Sequence, residues 1–269
     1  MLKVIFSDTE ATCTVSGVTY VLDAEEAMRY SVPPQPRFAL PDGTKWFLQG
    51  PACDVLVHQT PPSMQQLKWI EAGSMQGAGA DYRDVTIALP YVVVMAALGK
   101  NGRVLSSNEC FFSNTPIKSL DDKLCYPALL NCSKWSAPKS HALSWICTQY
   151  LKQSLATDYN NQIRGSIKAL FQCLLGTGFN YSSEHNEGNS WFSATAAAKV
   201  HPAVTDVDKW QKQSEKDPMF VLEVPWLETN LTVEEIARRV QALNSLGKTV
   251  LPATQKLAQF IVNKGRKKE

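Results

Sequence analysis

The sequence has almost no net charge: 27 Lys and Arg stand against 25 Asp and Glu in 269 residues, a formal +2. That balance excludes nucleic-acid binding driven by bulk electrostatics. The single basic cluster, Lys264, Arg266, Lys267 and Lys268, reads as a solvated, frayed tail. No apolar run approaches the ~20 residues of a membrane-spanning helix. The longest uncharged one, Ile87 to Leu98, contains Pro90 and predicts a buried strand. Met1 to Phe6 lacks the apolar core of a signal peptide, so a cytoplasmic protein is expected by default. Histidines number four, with no H-E-x-x-H or H-x-H pair, and none of the seven cysteines forms a C-x-x-C. No metal site of ordinary spacing follows, and the thiols are expected to be reduced. G-x-G-x-x-G, G-x-x-x-x-G-K-[ST] and G-x-S-x-G are all missing, which removes dinucleotide, P-loop and serine-hydrolase chemistry; no cofactor is implied.

What is present reads as strands first and helices last, an α+β order rather than alternating βαβ. Thr12 to Leu22 alternates around Ser16-Gly17 and predicts a hairpin. Asp23 with Glu26 three residues on predicts a capped helix to about Tyr30. Lys45–Gln49, Asp54–Gln59 and Gln66–Glu71 predict strands, and Ala72 to Ala80 a Gly-rich loop. Val85–Leu98 and Arg103–Phe112 predict two β-rich runs around Asn101-Gly102. From Ser113 to Ser140 periodicity disappears, which predicts a long irregular segment; after His141 the chain should be helical. Ile163, Ile167, Leu170, Phe171, Leu174 and Leu175 form one apolar face, closed by Gly176 and Gly178. Thr177 to Asn189 reads as a polar loop. Thr232 with Glu235 opens another helix bearing Val233, Ile236, Val240 and Leu243 and ending at Gly247. Pro252 to Asn263 is the last helix, with Leu257, Phe260 and Ile261 inward.

Chemistry, if any, falls to cysteine. Cys125 follows a strand and an Asn-containing turn inside the irregular segment. An acyl-carrying thiol must be accessible and must face an oxyanion donor, and an Asn amide nearby can serve. It needs no adjacent base when the incoming thioester is already activated. Asn114 reads equally as that donor and as a cap on the Thr115-Pro116 turn. Cys132, seven residues on and beside Lys134, is the fallback nucleophile. A lone Cys is more often a small buried hydrophobe, and Cys13, Cys110, Cys147 and Cys173 get that reading.

The stretch Ser113-Asn114-Thr115-Pro116, then Leu124-Cys125, then Trp135-Ser136-Ala137-Pro138 resembles the turn, cysteine and Trp-Ser-Pro of ubiquitin-conjugating enzymes. With Val55 to Pro62, Gln66 to Ile70 and Leu89-Pro90 upstream and Phe179 to His185 downstream, it resembles the prokaryotic ubiquitin-conjugating-enzyme-like family D, the protein B group of the PRTRC system. The resemblance spans about Asp54 to Glu228. It implies an antiparallel meander sheet with flanking helices over residues 51–230, a β-rich subdomain over 1–50, and C-terminal helices with a basic tail over 231–269. It further implies that Cys125 accepts a ubiquitin-like protein as a thioester from a ThiF-type activating enzyme and passes it to an amine. Asn114 would steady the oxyanion, Tyr126, Trp135 and His185 would contact partners, and a JAB-type isopeptidase would be associated. Trp135 reads more readily as a packing anchor, and His185 as a solvated loop residue. Tyr126-Pro127 stands where the family has Leu-Gly, and the turn lacks His. Both favour the alternative, an inactive scaffold of the same fold that docks partners in a plasmid or mobile-element system.

Overall fold

The computed structural model describes residues 4–31, 40–70, 81–128, 132–135, 143–148, 151–152, 159–176, 199–245 and 253–267. The Gly-rich loop, the polar loop with His185, and Gly178 and Gly247 lie outside them. The first elements are β1 (Val4–Phe6), β2 (Glu10–Val15), β3 (Val18–Asp23) and α1 (Ala24–Ser31). Then come β4 (Thr44–Leu48), β5 (Asp54–Thr60), β6 (Ser63–Trp69), β7 (Arg83–Leu89), β8 (Tyr91–Leu98) and β9 (Glu109–Ser113). Short strands β10 (Lys123–Cys125), β11 (Cys132–Trp135) and β12 (Leu143–Ile146) precede α2 (Tyr159–Phe171), which passes into a π turn, Gln172–Gly176. The chain ends with α3 (Val207–Lys216), β13 (Glu228–Thr232), α4 (Val233–Ser245), α5 (Ala253–Lys264) and β14 (Arg266–Lys267). All described strand pairs are antiparallel, and the protein is α+β.

Two compact units form, Met1–Phe38 with Gly247–Glu269, and Ala39–Leu246. The sequence suggests divisions near residues 50 and 230, and the compact units divide after Phe38 and after Leu246. In the smaller unit, the β2–β3 hairpin turns at Ser16 and Gly17, both at positive φ (50° and 79°), the pairing that matches strand twist in a two-residue turn. Asp23 Oδ1 accepts the Glu26 N–H at 3.1 Å and caps α1. Leu257, Ala258 and Ile261 of α5 pack on Ala11, Cys13, Leu22 and Ala27, which draws the C-terminus into this unit. The basic tail is not frayed throughout: Arg266 and Lys267 pair with Val21 and Tyr20 as β14. Gly265 makes that pairing possible, since a Cβ there would stand 2.4 Å from Ile261 O and 2.6 Å from Val21 O.

In the larger unit, β4, β5, β8 and β9 form an antiparallel meander, interrupted by the separate β6–β7 hairpin. Pro90 divides the apolar run that promised one strand. It has no N–H for a ladder, and β7 leaves toward β6 while β8 enters between β5 and β9. Val92 to Leu98 are all buried, because this central strand is covered on both faces. On one face Val55, Val57, Val93, Met95 and Phe111 meet Val233, Ile236, Ala237 and Val240 of α4. Thr232 and Glu235 cap that helix reciprocally, Thr232 N–H to Glu235 Oε2 at 2.8 Å and Glu235 N–H to Thr232 Oγ1 at 3.2 Å. Leu243 is only half-buried, and Asn244 takes the inward position, donating to Ser107 O.

The turn at Asn101-Gly102 forms, but the strand expected from Arg103 begins only at Glu109. Buried Asn108 fills the gap by accepting the Ala97 N–H at 2.9 Å, so a side chain replaces a backbone rung. The segment expected to be irregular holds β10 and β11, and the stretch expected to turn helical at His141 first forms β12. Helix α3 has no signal in periodicity, since only Val207, Trp210 and Ser214 are buried. It covers the edge of β7: Thr86 N–H donates to Gln211 Oε1, Ala88 N–H to Ser214 Oγ, and Trp210 Nε1–H to Ala88 O. No described helix is long and apolar enough to cross a membrane.

Arg239 of α4 holds the carboxylate of Glu109, which is 1% exposed, through Nε–Oε1 at 3.0 Å and Nη2–Oε2 at 2.6 Å. Removing the guanidinium strands a buried charge, so Arg239→Met is expected to lose about 3–5 kcal/mol in urea unfolding followed by circular dichroism. The double variant Glu109→Leu/Arg239→Met should recover most of that. A single-variant loss below about 1 kcal/mol would show that the pair does not hold the helix.

Candidate functional site

The sequence places Cys125 and Asn114 eleven residues apart, and the fold brings both to the far end of β9. Cys125 faces Phe112 on β9 and Glu228 on β13, while Asn114 lies two residues past Phe112. The chain between them caps α4: Val233 N–H donates to Asp122 O and Glu234 N–H to Leu120 O. Asp122 in turn accepts the N–H groups of Lys118 and Ser119 at 2.6 and 3.0 Å, which lowers its carboxyl pKa. The long spacing is thus a wrap around a helix start rather than an open loop.

Cys125 was expected in a loop and instead ends a strand paired on both sides. Its side chain is half-buried. Burial, and secondarily the Glu228 carboxylate across the ladder, push the thiol up to about 11. A bulge sits beside it. The register moves from Lys123↔Thr232 to Cys125↔Glu228, and exposed Asn230 takes φ 60° within the extra length. Thr229 Oγ1 pins the bulge by donating to Leu124 O at 2.7 Å.

Asn114 donates from Nδ2 to Leu222 O and to Val224 O, both at 2.8 Å. Both amide protons are committed to the chain around a short 3-10 turn, Phe220–Leu222. That chain is further fixed by Trp226, whose ring meets Phe112 edge-on at 5.0 Å and stacks on Trp210 at 5.3 Å. Trp226 Nε1–H donates to Val221 O at 3.0 Å. The oxyanion role assigned to Asn114 has no free proton in this geometry; its amide is a brace between β9 and the chain before β13.

Tyr126, expected at a partner surface, is 5% exposed and packs in the α4-facing core, 6.3 Å from the Phe111 ring centroid. The one-residue step from Cys125 along an extended chain sends it to the opposite face. Trp135 lies on β11 opposite Leu143, and Cys132 opposite Ile146. His185 lies outside the described residues. Glu228, Trp226 and the carbonyls of Leu222 and Val224 were not foreseen. They are about 100 residues from Cys125 in sequence, and no local pattern marks them. Among the described residues no group of three or more His, Cys, Asp or Glu side chains converges to hold a metal. No family model matches the chain, and neither a curated protein nor a solved structure does.

Asn114→Ala is expected to destabilise the protein by about 1–3 kcal/mol, because two carbonyls lose their donor. Asn114→Asp should cost more, since a carboxylate would face two carbonyl oxygens; urea unfolding monitored by tryptophan fluorescence reads both. A thiol moved from 9.0 to about 11 is deprotonated about a hundredfold less at neutral pH. Peptide-resolved alkylation of Cys125 by iodoacetamide should therefore still be accelerating at pH 9.5, and Glu228→Gln should speed it. A plateau near pH 8 would contradict this account.

Proposed function

We propose that this chain is a non-catalytic scaffold with a ubiquitin-conjugating-like core, which docks protein partners and carries no acyl group. Support for the core comes from the four-strand antiparallel meander, the Asn turn directly after its last strand, and the cysteine that follows one wrap later. The observation that carries the non-catalytic part is the commitment of both Asn114 amide protons to Leu222 O and Val224 O. Acyl transfer onto a thiol requires a thiolate to attack the carbonyl and a donor to receive the negative charge that develops on its oxygen. Burial pushes the Cys125 thiol up, and the Asn114 amide, two residues past its strand partner Phe112, is already bonded. The half-exposure of its side chain is the one observation that favours the carrier.

The test is a non-reducing gel of the tagged full-length protein in host lysate with ATP, comparing wild type with Cys125→Ser. Identical mobility in the two, together with unchanged protein partners on Cys125→Ala in a pull-down, is the expected result. A thiol-sensitive adduct in wild type that becomes thiol-resistant in Cys125→Ser would establish a carrier and overturn the scaffold.

A further inference from the structure

His58 is a buried titratable group whose Nδ1 has no hydrogen-bond partner among the described residues. It lies on β5, opposite Thr44 of β4 and Val94 of β8, and is 7% exposed. The imidazole ring meets the ring of Phe171 edge-on, with centroids 5.1 Å apart and planes at 67°. Phe171 is the last residue of α2, where the helix gives way to the π turn Gln172–Gly176. Such turns interrupt the regular helical ladder and are frequent at functional sites. Gly43 closes over the other side of the ring: a Cβ there would stand 2.8 Å from Cε1 and 3.1 Å from Nε2. The ring therefore has no room to swing toward β4.

We propose that His58 is an acid-sensitive latch, which holds the C-terminal end of α2 on the sheet while neutral and releases it on taking up a proton. Protonation makes both ring nitrogens donors, and Nδ1–H would then be buried with no acceptor among the described residues. The charged and titratable groups on the neighbouring described elements do not compensate. Helix α2 carries Arg164 and Lys168, both exposed and cationic; β4 carries exposed Lys45; β8 carries Tyr91. Asp54 on the same strand is already paired with Lys100 at 2.6 Å, and Asp42 beside Gly43 is exposed to water. Burial lowers the imidazole from 6.5 to about 4. The opened state, with an ordinary imidazole, binds the proton more tightly. The latch is therefore fully closed above pH 6.5 and weakens as pH falls from there toward 4.

Linkage over that interval raises the opening equilibrium of α2 about twentyfold between pH 7 and pH 5. Hydrogen exchange of the full-length protein, corrected for intrinsic rates, should show that loss of protection over residues 159–176 in wild type. His58→Phe, which keeps the aromatic contact and cannot titrate, should keep its protection at pH 5. Equal losses in both proteins would overturn the latch. Should the variant not fold, the wild-type imidazole can be followed by NMR across the same pH range. Its titration near 4, with α2 protection falling as the pH drops from 6.5 toward 4, supports the latch, and an ordinary titration near 6.5 with α2 still protected overturns it.

Discussion

The Glu109 carboxylate is held inside the larger unit, 1% exposed, by three hydrogen bonds: two from Arg239 of α4 and one from the Ser144 N–H of β12. Burial raises its pKa and the guanidinium opposes that. A buried carboxylate is tolerable only when its lone pairs are answered, so β9, β12 and α4 must meet at one point in one register. Apolar packing of α4 on the meander supplies most of the contact area, but packing alone would permit a helix to slide. The bidentate pair fixes where along β9 the helix sits. That position in turn sets the α4 N-terminus over Leu120 and Asp122, which return the chain to the sheet as β10. The location of Cys125 is therefore a consequence of a charge placed sixteen residues before it.

At the other end of β9 the side chains around the cysteine are likewise bonded to partners. Asn114, Trp226, Thr229 and the Asn230 bulge are each engaged in holding three distant pieces of chain together. A catalytic corner needs donors that stay unfilled until the transition state forms. Here the donors are filled, and the adjacent charge is negative. The corner has the bonding of a structural joint, and that bonding is what the proposed scaffold reading rests on.

Much of the local structure was legible. The Ser16-Gly17 turn, the Asp23 cap, the Thr232–Glu235 capping box and most inward residues of α2, α4 and α5 follow from rules that act between near neighbours in the chain, Leu243 of α4 being the exception that Asn244 replaces. What could not be read was non-local. Strands β10, β11 and β12 are three or four residues long, too short for a period to register, and exist because β9 and β13 offer edges to β10, β9 offers one to β12, and β12 in turn offers one to β11. Helix α3 shows too few apolar residues to declare itself, since it holds β7 through Gln211, Ser214 and Trp210 rather than through a stripe. The basic tail looked like solvent-exposed charge because only its side chains are; its backbone completes a sheet.

By itself the sequence determined the α+β class, the caps and turns, and the residue types at the corner of β9, because these depend on propensity, pattern and chemistry carried by neighbours in the chain. The tertiary structure decided the rest. It drew α5 and β14 into the N-terminal unit and assigned α4 to the meander. It also turned Tyr126 into the core while leaving Cys125 half out, and gave both protons of Asn114 to carbonyls over 100 residues away. Whether an amide is a catalyst or a brace depends on what stands within 3 Å of it, and that is set by folding at long range, not by the spacing of residues along the chain.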